Sequence, residues 1–130
     1  MDINPIIEYW IKSSEEDYKS GEGLLSLERY VHSLFFCHLT IEKILKAIVV
    51  KNTGEQAPYE HNLYVLARLT GIEFSKEQLD LLDEINTFNI KGRYDDYKFK
   101  FHEKATKEYT EEYFKKATAL YIWLKKQIKK

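Results

Sequence analysis

With 130 residues, 44% apolar and 15% aromatic content, five glycines and two prolines, the chain is sized for one domain and is too apolar to stay disordered. The net charge of −1 hides an asymmetry: residues 1–90 hold 8 Lys and Arg against 15 Asp and Glu, whereas residues 91–130 hold 12 against 6. Cys37 is the single cysteine, which excludes a disulfide framework within one chain. Neither a basic and apolar leader nor an apolar run of membrane-spanning length is visible, so the expected compartment is the cytoplasm, without membrane association.

Ile6, Ile7, Trp10, Ile11, Ser14 and Tyr18 recur at the three-and-four spacing of one helix face. With Asn4 as cap and Pro5 in the first turn they predict a first helix ending near Gly21-Glu22-Gly23. A second helix is predicted from about Ser26 to Asn52, its apolar stripe carrying Tyr30, Leu34, Cys37, His38, Ile41, Leu45, Ile48 and Val49. Its length suits the centre of a bundle. Gly54 and Pro58 mark a loop, after which a short helix begins near Glu60, places Leu63, Leu66, Ala67 and Leu69 on one face, and closes at Gly71.

Ser75 followed by Gln78 is a capping-box pattern that opens a fourth helix through Leu79, Leu82, Ile85 and Phe88. The periodicity breaks from Asn89 to Phe101. A last helix starts between His102 and Tyr109 and carries Tyr109, Tyr113, Ala117, Leu120, Tyr121, Leu124 and Ile128, with lysines at its end where the helix dipole favours them. The predicted fold is all-α: a single domain over residues 1–130, folded as an antiparallel up-and-down bundle of four long helices and one short one.

Three groups of residues carry chemistry. Glu42 and Lys46 lie one turn apart, which suits a surface ion pair or, alternatively, a pair that turns inward or across an interface together with Lys43. His38 shares that face and reads as a polar core or interface histidine. His61, at the predicted start of the short helix, can bond to helix-end amides or to the neighbouring loop. No histidine has the acidic neighbour three positions earlier that a di-metal bundle uses, so neither a metal nor a cofactor is expected. The third group is basic and aromatic: Lys91, Arg93, Tyr94, Tyr97, Lys98, Phe99, Lys100, Phe101 and His102. Cationic side chains there can track phosphates while rings stack on bases; alternatively the aromatics cover the core.

The ordered series Glu42-Lys43-Ile44-Leu45-Lys46-Ala47, Gly54, Pro58, His61-Asn62-Leu63 and Arg93-Tyr94-Asp95-Asp96 resembles the HEPN family. These are small bacterial and archaeal helical-bundle proteins, often encoded beside a minimal nucleotidyltransferase. The resemblance spans nearly the whole chain. It implies a homodimer closed by the Glu-Lys-box helix and the last helix, a separate nucleotidyltransferase as partner, nucleotide or RNA as ligand, and in some pairings the role of toxin in a toxin-antitoxin system.

Ribonuclease members of that superfamily carry an arginine followed after four to six residues by a histidine, the arginine stabilising phosphate charge and the histidine acting as acid-base catalyst. Arg93 and His102 are the candidates here. Eight residues separate them, however, and position 104 is Lys104 where a tyrosine is usual. The expectation is therefore a ligand-binding protein that is not catalytic alone. A metal-independent ribonuclease with a divergent Arg/His site and a purely structural dimeric module are the alternatives.

Overall fold

The computed structural model describes residues 2–93, 97 and 99–129, with the backbone alone at 90–93. Six helices follow one another: α1 (Asn4–Ser26), α2 (Tyr30–Thr53), α3 (Leu63–Thr70), α4 (Lys76–Arg93), α5 (Lys100–Lys104) and α6 (Lys107–Ile128). The four long helices alternate in direction. Asp17 meets Lys43 and Gly21 meets Ser33, so α1 and α2 run antiparallel. Ser14 bonds Tyr121 and Tyr18 bonds Thr118, so α1 and α6 do too. Phe88 near the end of α4 packs on Tyr109 and Tyr113 at the start of α6, whereas Phe74 just before α4 packs on Trp123.

α2 is the central helix, buried along almost its whole length because every other helix packs on it. Its Leu34, Ile41, Ile44, Leu45 and Ile48 meet Leu82, Ile85 and Phe88 of α4, Leu63 and Leu66 of α3 and Leu124 of α6 in one core cluster. Each such side chain contributes about 1.5–3 kcal/mol by leaving water. Burial of this apolar stripe drives the fold; capping places the ends. Thr106 caps α6, Ser75 and Gln78 bond reciprocally ahead of α4, and Gly54 ends α2 at φ 75, where a side chain would be strained.

The predicted four long helices are present, with two short ones where one was expected, and several boundaries move. Gly21 does not end α1, which continues to Ser26. A Cβ at Gly21 would stand 3.3 Å from the Phe114 ring and from Phe36 Cβ, so the glycine permits close approach of α1 to α2 and α6. Ile3 occupies the N-cap of α1, while Asp2 Oδ1 accepts from the Asn4 amide. α3 starts at Leu63, capped by Asn62, whose Oδ1 accepts from the Tyr64 and Val65 amides. The α4 backbone runs on to Arg93 through the predicted break, and α5 follows as an unpredicted single turn. Phe101 anchors it, buried against Phe88 with ring centroids 6.0 Å apart.

Candidate functional site

The Glu42 constellation is buried, which corrects the reading of a surface ion pair. Glu42 is 4% exposed and Lys46 5% exposed. Residues four apart on α2 share a face, and this face lies under α1 and the loop that leads to α3. Lys46 Nζ donates to Glu42 Oε2 at 3.2 Å and sits 5.1 Å from the centre of the Trp10 ring on α1. His61 Nδ1 donates to Glu42 Oε1 at 3.1 Å, so the histidine's partner is a carboxylate and not a free helix-end amide. His38, fully buried, donates from Nε2 to the His61 carbonyl at 2.9 Å, and its Nδ1 lies 3.6 Å from Glu42 Oε1. Lys43, on the flank, pairs with Asp17 of α1 at 2.6 Å.

A buried carboxylate is costly unless charge and hydrogen bonds compensate it. Here Lys46 supplies the charge and His61 a further donor, while His38 fixes the backbone that carries His61. These groups thus lock α1, α2 and the α2–α3 loop to one another. With Glu42 4% exposed and bonded from two sides, the arrangement is a brace.

The α5 end of the bundle differs, because its candidate side chains are exposed. α5 presents His102 to solvent, its ring edge-on to Phe99 at 5.0 Å between centroids. Lys100 is exposed on the same turn, and Tyr97 and Phe99 are 86% and 58% exposed. Of the predicted basic and aromatic set, Tyr97, Phe99, Lys100 and His102 are exposed, whereas Phe101 serves the core. The backbone at Arg93 ends α4. The side chains of Lys91 and Arg93, together with Tyr94 and Lys98, lie outside the described residues.

Lys104 holds α5 in place by pairing with Glu84 of α4 at 3.0 Å. Glu84 also accepts from the Tyr109 hydroxyl, and burial together with that bond holds the phenol well above the ordinary tyrosine range. His102 lines a concavity together with Arg29, Tyr30 and His32 from the start of α2. The larger groove between α4 and α6, floored by Leu81, Leu120 and Trp123, contains none of the predicted site residues.

Compared with known proteins, residues 7–127 match the model of the HEPN domain. The chain belongs to the HEPN domain family. This HEPN domain is also similar in structure to TT1696 from Thermus thermophilus, at a TM-score of 0.77 over 92% of this chain and 96% of that chain. At 14% identity that likeness speaks for the fold. No curated protein matches the chain.

Among the described residues, no group of three or more His, Cys, Asp or Glu side chains is placed to hold a metal ion, and no helix is long and apolar enough to cross a membrane. Four contributors to the two clusters escaped the sequence reading: Trp10 and Asp17 at the brace, Arg29 and His32 at the open end. Trp10 and Asp17 carried a usable signal, because both fall on the α1 face that a helical hairpin turns toward α2. Arg29 and His32 carried none, since their neighbour His102 lies more than half the chain away in sequence.

Proposed function

We propose that this HEPN domain binds nucleotide or single-stranded RNA at the α5 end and works with a separately encoded nucleotidyltransferase, as the toxin half of a toxin-antitoxin pair. The observation that carries the reading is the turn of α5, which Phe101 roots in the core while Lys100 and His102 are exposed on it and the rings of Phe99 and Tyr97 are exposed just before it. Exposed rings beside cations suit bases and phosphates in turn, each stacked base being worth about 1–3 kcal/mol. The lysine-rich stretch after residue 90 adds a long-range field of the right sign.

Binding without cleavage is the form we favour. The eight residues between Arg93 and His102, and Lys104 in place of a tyrosine, depart from the spacing of ribonuclease members that the chain otherwise resembles. The reading includes a homodimer, as the family resemblance implies.

Titration of the wild-type protein with a labelled single-stranded RNA tests the proposal. Affinity should fall steeply with added salt as phosphate contacts release counterions. His102→Ala and Lys100→Ala should each weaken binding, and the RNA should remain intact. Absence of salt-dependent binding would sink the nucleic-acid reading; cleavage abolished by His102→Ala would replace binding by metal-independent ribonuclease activity. Co-expression with the neighbouring gene and sedimentation of the purified chain test the partner and the dimer separately.

A further inference from the structure

We propose that Arg29 and His32, from the start of α2, complete a phosphodiester-binding pocket whose other wall is His102 of α5. The concavity is open to solvent and offers about 270 Å³, just below the range of about 300–1,000 Å³ typical of whole-ligand sites. It accommodates a backbone phosphate with part of its sugar.

Its construction is local and specific. α1 ends at Ser26, and Glu28 turns the chain at φ 60 so that Arg29 enters the N-cap of α2. His32 lies in the first turn of α2, and the two residues line the same concavity. The α5 turn crosses this corner and brings His102 and Ala105 against it. Three nitrogen-bearing side chains from two distant parts of the chain thus face one concave space. Arg29 contributes the permanent charge and the planar fork that matches two phosphate oxygens. The imidazoles contribute ring N–H donors.

The same corner sets the ligand class. Among the described residues, Glu28 is the one carboxylate lining the pocket. Glu108 and Glu111 of α6 lie near enough, with Lys107, to act on Tyr30, whose hydroxyl is raised above its ordinary range by burial first and by Glu28 next. Against Arg29 and Lys107 this acidity disfavours a doubly charged terminal phosphate and admits the singly charged phosphodiester of a nucleic-acid backbone. The exposed rings of Phe99 and Tyr97 belong to the same end of the bundle, where the bases flanking that phosphate would stack. The assignment rests on the nucleic-acid reading above and adds to it residues that lie far upstream of the basic and aromatic segment.

The experiment is a binding titration of the full chain with a short single-stranded RNA and, separately, with inorganic phosphate, both at low salt. Arg29→Gln should weaken RNA binding at least tenfold, in keeping with the loss of a charge-assisted contact. His32→Gln should weaken it about threefold, and Glu28→Gln should tighten it and raise the otherwise weak affinity for inorganic phosphate. Lys126→Gln, an equal charge change at the other end of the bundle, should stay within about twofold of wild type. Arg29 and His32 are exposed, and an unchanged melting curve confirms that their variants fold. A dinucleotide added to the wild type should shift the imidazole resonances of both His32 and His102, which a merely structural role would not do. If the wild type binds RNA and Arg29→Gln binds equally well, the pocket is wrong while the α5 surface stands. If the wild type binds no RNA, both fall.

Discussion

Histidine, lysine or arginine, and glutamate occur together at mid-length of this bundle and again at its α5 end, and do opposite things. At the brace, His38, Glu42 and Lys46 are buried, His61 closes over them half-exposed, and the four side chains pair within the cluster. At the α5 end, Arg29, His32 and His102 line a solvent-facing concavity, brought there from two segments far apart in the chain. Burial, not residue type, decides whether a charged cluster holds the fold or stays accessible to a ligand. A Glu-Lys box read from sequence is a structural device here because α1 and the α2–α3 loop close over it.

The contrast is broken most forcefully at Lys46. Lys46→Leu leaves the Glu42 carboxylate buried without its lysine, and stability should drop by about 3–5 kcal/mol in urea unfolding, the range for removing one partner of a buried pair. A loss under about 1 kcal/mol would mean that water reaches Glu42. The double variant Glu42→Leu, Lys46→Leu should recover most of the deficit, since apolar replacement of both charges is often neutral. RNA binding at the α5 end should be untouched in every folded variant.

How much of this was legible in the sequence depends on range. Helix periodicity located the four long helices and the capping box at Ser75, because those signals are confined to one or two turns. Gly21 misled, since a glycine that ends a helix and one that admits a neighbouring ring look alike until Phe36 and Phe114 are in place. Glu42 and Lys46 were recognised as a pair, yet their burial depends on Trp10 and His61, which come from other segments. Likewise His102 was visible as a candidate, whereas its neighbours Arg29 and His32 become so only when α5 folds across the first turn of α2.

A second test compares the flanking ion pair with the central one. Lys43→Ala removes a partner of Asp17, and both side chains are partly accessible, 22% and 14% exposed. Because Asp17 Oδ2 is buried, we expect a loss of about 1–2 kcal/mol, above the exposed-pair range and below that of a fully buried pair. A loss as large as that of Lys46→Leu would erase the distinction between flank and core.

Cys37 offers a chemical probe. Burial pushes its thiol from the ordinary 9.0 up to about 12, so the native protein at about pH 8 holds almost no thiolate and should react with a disulfide reagent far more slowly than the urea-unfolded chain. The sign follows from the shift: a group whose pKa is raised on folding costs no stability below 9.0, and stability is lost as pH rises from there towards about 12. Rapid labelling of the native thiol would show that the core opens around α2.

The smallest expected effect on stability is at the open end. His102→Ala should leave the unfolding free energy within about 0.5 kcal/mol of wild type, because an exposed side chain away from caps and cores contributes little. A drop of about 2 kcal/mol, in the range of core and cap losses, would assign His102 to the structure after all and remove it from the candidate site.

The hydroxyl bonds from α1 to α6 have a consequence for the order in which the chain assembles. Ser14 and Tyr121 are 107 residues apart, and Tyr18 and Thr118 are 100 apart. The α1–α2 hairpin can close over the short turn between Ser26 and Tyr30, whereas α6 must find its groove across almost the whole chain and bear the larger loop-closure entropy. Docking of α6 is then a late event on the folding path. Weakening Tyr121 should hasten unfolding and leave the refolding rate nearly unchanged, so the lifetime of the native state is set by its last helix more than by its central one.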